Sequence, residues 1–248
     1  MALDSHVTPL PPKGLFYDDM HVGLRFPSPP GVILDSGIAS LYTAISGDGL
    51  ALTLDRALCQ QVTGNDALLV NPALVLHVSI GASTVATRNV IGNLFYRSVV
   101  LAKQVHQGTT LRTVTGVLAM ADSRPKPGSP PRGKALLGIQ TTTADNEIVV
   151  DYERCPLLPC KGDNAPGHTD EIGAAAPELD LASFTKFVPD GWALAPLGEH
   201  DSWVVGDVRS DFQRDMVDMA TALVRITHNQ AAVHRDADAS SYDGRLVY

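Results

Sequence analysis

The spacing of apolar residues changes part way along the chain, and this change separates helical from extended stretches. In "SGIASLYTAISGD", residues 36–48, Ile38, Leu41, Tyr42 and Ile45 recur at i, i+3, i+4 and i+7, which predicts a short amphipathic helix. "NPALVLHVSIGASTVAT", 71–87, is apolar on nearly every side. It opens with Asn71, which can cap, and Pro72, whose fixed φ suits a first turn, so it predicts a buried helix. His77 inside it is expected to be a satisfied core or pocket-wall residue.

Beyond this helix the period becomes two. "NLFYRSVVLAKQV", "TTLRTVTGVLAMAD", "KALLGIQTTTAD" and "EIVVDYERCPLL" are rich in β-branched and aromatic residues and read as strands. Leu137, Ile139, Thr141 and Thr143 share one face, as do Ile148, Val150 and Tyr152 on the next strand. "ADNE" between them signals a tight hairpin. "SRPKPGSPPRG", 123–133, is a solvated loop whose Arg124, Lys126 and Arg132 could alternatively meet phosphates. Residues 1–14 read as a loose Pro-rich arm and 161–180 as a linker. The fold class is therefore α+β, a buried helix followed by an antiparallel sheet of long strands.

Composition narrows the function classes. The 248 residues suffice for a substantial core. A net charge of −8 gives no basic field for nucleic acid or anionic membranes. No apolar run reaches the ~18 residues of a membrane span. The three cysteines and an N-terminus without a basic and apolar leader pattern suggest a reduced, cytoplasmic protein. Cys155 and Cys160 fit neither a zinc knuckle nor a redox CxxC, so buried thiols are expected, with no metal and no cofactor.

The second part of the chain repeats the first faintly. "HVGLRF" at 21–26 is echoed by "VVGDVR" at 204–209, and the helix at 36–46 by Met216, Met219, Ala220 and Leu223. "SGDGLALTLD", 46–55, aligns with "THNQAAVHRD", 227–236. At a constant offset of 181 residues Asp48 faces Asn229, Thr53 faces His234 and Asp55 faces Asp236.

These paired segments resemble the Ser/Thr-Gly-Asp-x-Asn-Pro-Leu/Ile-His-x-Asp motif of MaoC-like dehydratases, the (R)-specific enoyl-CoA hydratases of the hotdog superfamily. The resemblance is to their double-hotdog branch, which includes mesaconyl-CoA hydratase-like proteins, and it runs from "YDDMHVGLRF" to "GRLVY". It implies a double hotdog, in which an antiparallel sheet wraps a long central helix. The N-terminal hotdog is expected at 15–160, a linker at 161–185, and the start of a C-terminal hotdog at 186–248. The second hotdog looks incomplete in this chain, because the family follows "GRLVY" with Gly-Gly-His, a second buried helix and its strands. Backbone oxyanion donors would belong to that part.

In the family, the motif's Asp and the His five residues later form the catalytic pair. The first repeat keeps Ser46, Gly47, Asp48 and Asp55 but has Thr53 in place of His, so it should be chemically silent. The second keeps His234 and Asp236 and has Asn229 in place of Asp. Asp236 can cap a turn or touch substrate, and Asp48 is expected to bond backbone in its own loop.

The chemistry follows from the residue types. Hydrating a 2-enoyl thioester needs a base for water at C3, a proton for C2 and a donor for the thioester oxygen, and an imidazole can serve the first two needs. A carboxamide can orient water but cannot accept its proton. The resemblance thus implies an (R)-specific hydratase or dehydratase of a 2-enoyl/3-hydroxyacyl-CoA thioester. The acyl group would be short and branched or dicarboxylic. His234 and Asn229 would be catalytic, and Asp236, Val75, Ser79 and Ser83 would contact substrate. The alternative is a catalytically degenerate acyl-thioester binding protein, a thioesterase being a third reading. Partners would be the acyl-CoA alone, with the protein a monomer or homodimer.

Overall fold

The computed structural model describes residues 14–125, 127–175, 181–198, 204, 206–208, 219–240 and 244–247. Its centre is α4, Pro72–Ser83. Asn71 caps it, its side-chain oxygen accepting the Ala73 N–H at 2.7 Å, and Pro72 fills the first turn. The helix lies against an antiparallel sheet ordered β1-β3-β4-β5-β2. The strands are β1 (Val32–Leu34), β2 (Gly92–Leu101), β3 (Thr109–Asp122), β4 (Arg132–Thr143) and β5 (Ile148–Pro159). Before α4 come α1 (Ser36–Ser46), α2 (Ala51–Leu54) and α3 (Arg56–Thr63); α5 (Ala220–Ile226) follows the sheet.

Most elements match the sequence pattern. Leu137, Ile139, Thr141 and Thr143 are all buried on the inner face of β4. The inner threonines find partners, as buried hydroxyls must. Thr113 lies 2.8 Å from Thr141, Thr141 lies 2.6 Å from Ser79 of α4, and Ser79 donates to the Tyr152 hydroxyl at 3.3 Å. Burial pushes Tyr152 up to about 12, so it stays a neutral phenol in this chain of hydroxyls.

The sheet corrects one expectation. Ile148 is 45% exposed, whereas Val149 and Val150 are both fully buried. The β4–β5 register shifts between Thr141, opposite Val150, and Thr142, opposite Ile148. That bulge breaks the alternation on which the sequence reading depended.

The stretch read as a linker is fastened at its start. Asp18 accepts the N–H groups of Lys161 and Gly162 at 3.0 and 3.1 Å, and Asp122 accepts those of Gly167 and His168 at 2.7 and 3.2 Å. Tyr17, fully buried, donates to Asp122 at 3.0 Å. It packs so closely on Gly133 that a Cβ there would stand 2.0 Å from its ring. The three cysteines are buried free thiols, and burial raises the pKa of Cys155 and Cys160. The N-terminal arm at 1–13, Lys126 and most of the 204–218 echo lie outside the described residues.

Candidate active site

The site begins with the way α5 and its following turn meet α4. Thr227 ends α5, its hydroxyl donating back to the Leu223 carbonyl at 2.8 Å. His228 adopts a left-handed φ of 55° and is exposed. The chain can then cross α4 closely because residue 81 is glycine. A Cβ built on Gly81 would stand 1.8 Å from the Thr227 carbonyl oxygen and 3.3 Å from the Asn229 nitrogen. Two hydrogen bonds hold the crossing segment to the turn after α4. The Gln230 N–H donates to the Thr84 hydroxyl at 2.7 Å, and the Ala232 N–H donates to the Arg88 carbonyl at 2.8 Å.

Asn229 is buried at 3% exposure. Its backbone N–H donates to Val224, and its side-chain oxygen accepts the Ala231 N–H at 2.9 Å. It thus shapes the turn that carries His234, which lies in a single 3-10 turn, Ala232–His234. The half-buried His234 imidazole has Nδ1 2.5 Å from the Val247 carbonyl oxygen. A carbonyl can only accept, so Nδ1 bears the proton and the lone pair of the neutral ring sits on Nε2. This is the tautomer a general base needs when its other nitrogen is held by a second residue.

The remaining expected site residues have these bonds and packing partners. Asp236 is exposed and accepts the Asp238 N–H at 3.0 Å, capping its own turn. Val75, Ser79 and Ser83 are buried: Ser79 bonds the sheet hydroxyls, the Ser83 hydroxyl donates to the Ile80 carbonyl at 2.7 Å, and Val75 packs with Leu34, Tyr42 and Leu111. Sequence reasoning overlooked Gly81, Thr84, Arg88 and Val247. Only Gly81 carried a signal, since a glycine inside a buried helix often marks a close approach.

The end of α4 is itself clamped. Arg154 of β5, 3% exposed, donates from Nη2 to the Ser83 carbonyl at 3.1 Å and to the Thr87 hydroxyl at 2.8 Å. A guanidinium suits the carbonyl-rich end of a helix. It fixes the turn on which Thr84 and Arg88 receive the site segment.

In the first repeat, Asp48 accepts the Leu50 N–H and the Thr53 hydroxyl, both at 3.0 Å, and also bonds the Asn71 side chain. Burial alone would raise its pKa, but the bonds from Asn71, Leu50 and Thr53 together lower it. The motif residue is therefore built into the cap of α4. Its bond to Leu50 is the expected backbone bond; those to Thr53 and Asn71 are additional.

Among the described residues no cluster of three His, Cys, Asp or Glu could hold a metal, and no helix is long and apolar enough to cross a membrane.

No family model matches the chain. It is similar to a protein of double-hotdog fold from Mycobacterium tuberculosis, with 36% identity and a TM-score of 0.81, over 95% of this chain and 72% of that one. A MaoC-domain protein from Chloroflexus aurantiacus matches at 22% identity and a TM-score of 0.75, over 97% of this chain and 71% of that one. The beta-methylmalyl-CoA dehydratase of Chloroflexus aurantiacus is 24% identical over 249 residues, covering 95% of this chain and 69% of that protein. The central helix and its wrapping sheet agree with these relatives in fold: the chain belongs to the same double-hotdog family as the Mycobacterium tuberculosis protein.

Proposed function

We propose that this chain adds water to 2-enoyl-CoA thioesters, or removes it from the 3-hydroxyacyl-CoA products, with (R) stereochemistry and with His234 as acid and base. The observation that carries the reading is the bond from His234 Nδ1–H to the Val247 carbonyl at 2.5 Å, because it assigns the basic lone pair to Nε2. The similarity to a beta-methylmalyl-CoA dehydratase supports the substrate class and suggests a short, branched or carboxylated acyl group.

In the forward direction Nε2 takes a proton from water as its oxygen bonds C3. The electron pair of the C2–C3 double bond moves toward the thioester oxygen. The imidazolium then returns a proton to C2, so one water is added and no electron is gained or lost. Acid–base help of this kind contributes roughly 10²–10⁴-fold. Asn229 cannot take up the proton, and its part is to shape the turn and orient water. No cofactor is needed beyond the CoA of the substrate. The reading goes with a cytoplasmic monomer or homodimer.

A second reading has its own support. Asn229 replaces the family's carboxylate and turns its side-chain oxygen onto Ala231, as expected of a protein that binds acyl thioesters without converting them. Incubation with crotonyl-CoA separates the two. Loss of the enoyl absorbance with formation of 3-hydroxybutyryl-CoA is the result expected of a hydratase. An unchanged absorbance would favour the binding protein, and release of free CoA would indicate a thioesterase.

A further inference from the structure

The first repeat holds a cavity that the proposed reaction does not use. It encloses about 300 Å³ between α1, α2 and the start of α4, at the small end of the range for ligand sites. Tyr42, Leu68 and Leu74 give it an apolar wall, and Asp48, Asn71 and Arg56 face it from the polar side. Thr53 also borders it. Asp48 and Thr53 are the register partners of Asn229 and His234, so the cavity is the first repeat's counterpart of the candidate active site.

Its chemistry suits binding without turnover. Thr53 stands where a base would be, and its hydroxyl is already shared between the Asp48 carboxylate and the Leu50 carbonyl at 2.8 Å. Asp48 is held as a carboxylate by the three groups that tie it to its loop and to α4. One carboxylate and one guanidinium border the space, leaving no net charge, and Arg56 also donates to the Asp66 carbonyl. A single such cation is a poor cradle for phosphates, which gather several donors. The rest of the polar border is hydroxyl and carboxamide, able both to donate and to accept. The matching ligand is an uncharged chain with amide groups on short alkyl links.

We propose that this cavity binds the pantetheine part of a thioester carrier, without reaction. The inference rests on the reading of the chain as a CoA-thioester enzyme for its choice of ligand, but not for its test.

The probe is pantetheine itself, titrated into the full chain by calorimetry and followed by NMR. Leu54 and Ser40 border the cavity and are both exposed, so Leu54→Trp and Ser40→Trp should fill it without disturbing the core. Each should weaken pantetheine by about tenfold or more, whereas His234→Ala should bind as the wild type does. In the wild-type chain, pantetheine methyl protons should show NOEs to the methyls of Leu54 or Leu68, a result that needs no variant. No binding, no such NOEs, or equal binding in both Trp variants would overturn the proposal. So would loss of binding in His234→Ala, which would put the amide chain in the second repeat. A wild-type chain that binds pantetheine here but leaves crotonyl-CoA unchanged would remove the proposed reaction and leave this assignment standing.

Discussion

Gly81 lies directly beneath Thr227, so that a Cβ on the one would come within 1.8 Å of the carbonyl oxygen of the other. The contact joins the last turn of α4 to the turn that carries His234, and the group met there is backbone, which has nowhere to rotate. Gly81→Ala tests it. In an ordinary helix the exchange would stabilise by about 1 kcal/mol. Here overpacking should reverse the sign and cost about 1–3 kcal/mol. Thermal unfolding should show the lower midpoint, and crotonyl-CoA hydration should fall with it. An unchanged or raised midpoint would mean that the turn does not rest on α4 as described.

Arg154 should behave as a clamp for the far end of α4. Arg154→Met removes the donor to the Ser83 carbonyl and the Thr87 hydroxyl in a buried place. Leaving such groups unmet costs about 1–3 kcal/mol. Urea unfolding should show a loss of this size, and Arg154→Lys, which keeps the charge, should recover part of it. A Met variant as stable as wild type would argue against the clamp.

Asp48 gives a pH prediction with a definite sign. Its pKa in the folded chain lies below the ordinary 3.8, since the bonds from Asn71, Leu50 and Thr53 outweigh burial. The stabilisation is therefore present above 3.8 and is lost as pH falls through the lowered value. Thermal unfolding across that acid range should show wild type losing more stability than Asp48→Asn. Equal slopes for the two proteins would mean that Asp48 is not held as a carboxylate.

Much of this architecture can be read from the chain, for identifiable reasons. Asn71 and Pro72 are local signals, and the cap of α4 forms where they stand. The face of β4 follows its alternation from Leu137 to Thr143. Ile148 departs because a bulge is a property of two paired strands and leaves little trace in one. The α3 helix, capped by Asp55 and Gly64, was not foreseen from the sequence, because it is short and weakly apolar. His234 stands out by its motif. Its partner Val247 does not, because a backbone carbonyl carries no sequence mark. The cavity beside Asp48 needs α1 and α4 brought together, which no local pattern encodes.

Asn229→Asp restores the carboxylate that the family motif has at this position. The new side chain can keep the bond to the Ala231 N–H, because Asn229 already accepts there through its oxygen. If the residues at 229 and 234 share a water, crotonyl-CoA hydration should hold or rise. A wild type and an Asn229→Asp variant that are both inactive would favour the binding-protein reading.

The most direct measurement of the central claim is the rate of crotonyl-CoA hydration by wild type against His234→Ala, with folding checked by circular dichroism. If His234 Nε2 takes and returns the proton, the variant should lose about 10²–10⁴-fold in rate while keeping its fold. Equal rates in the two proteins would contradict the assignment and remove His234 from the chemistry.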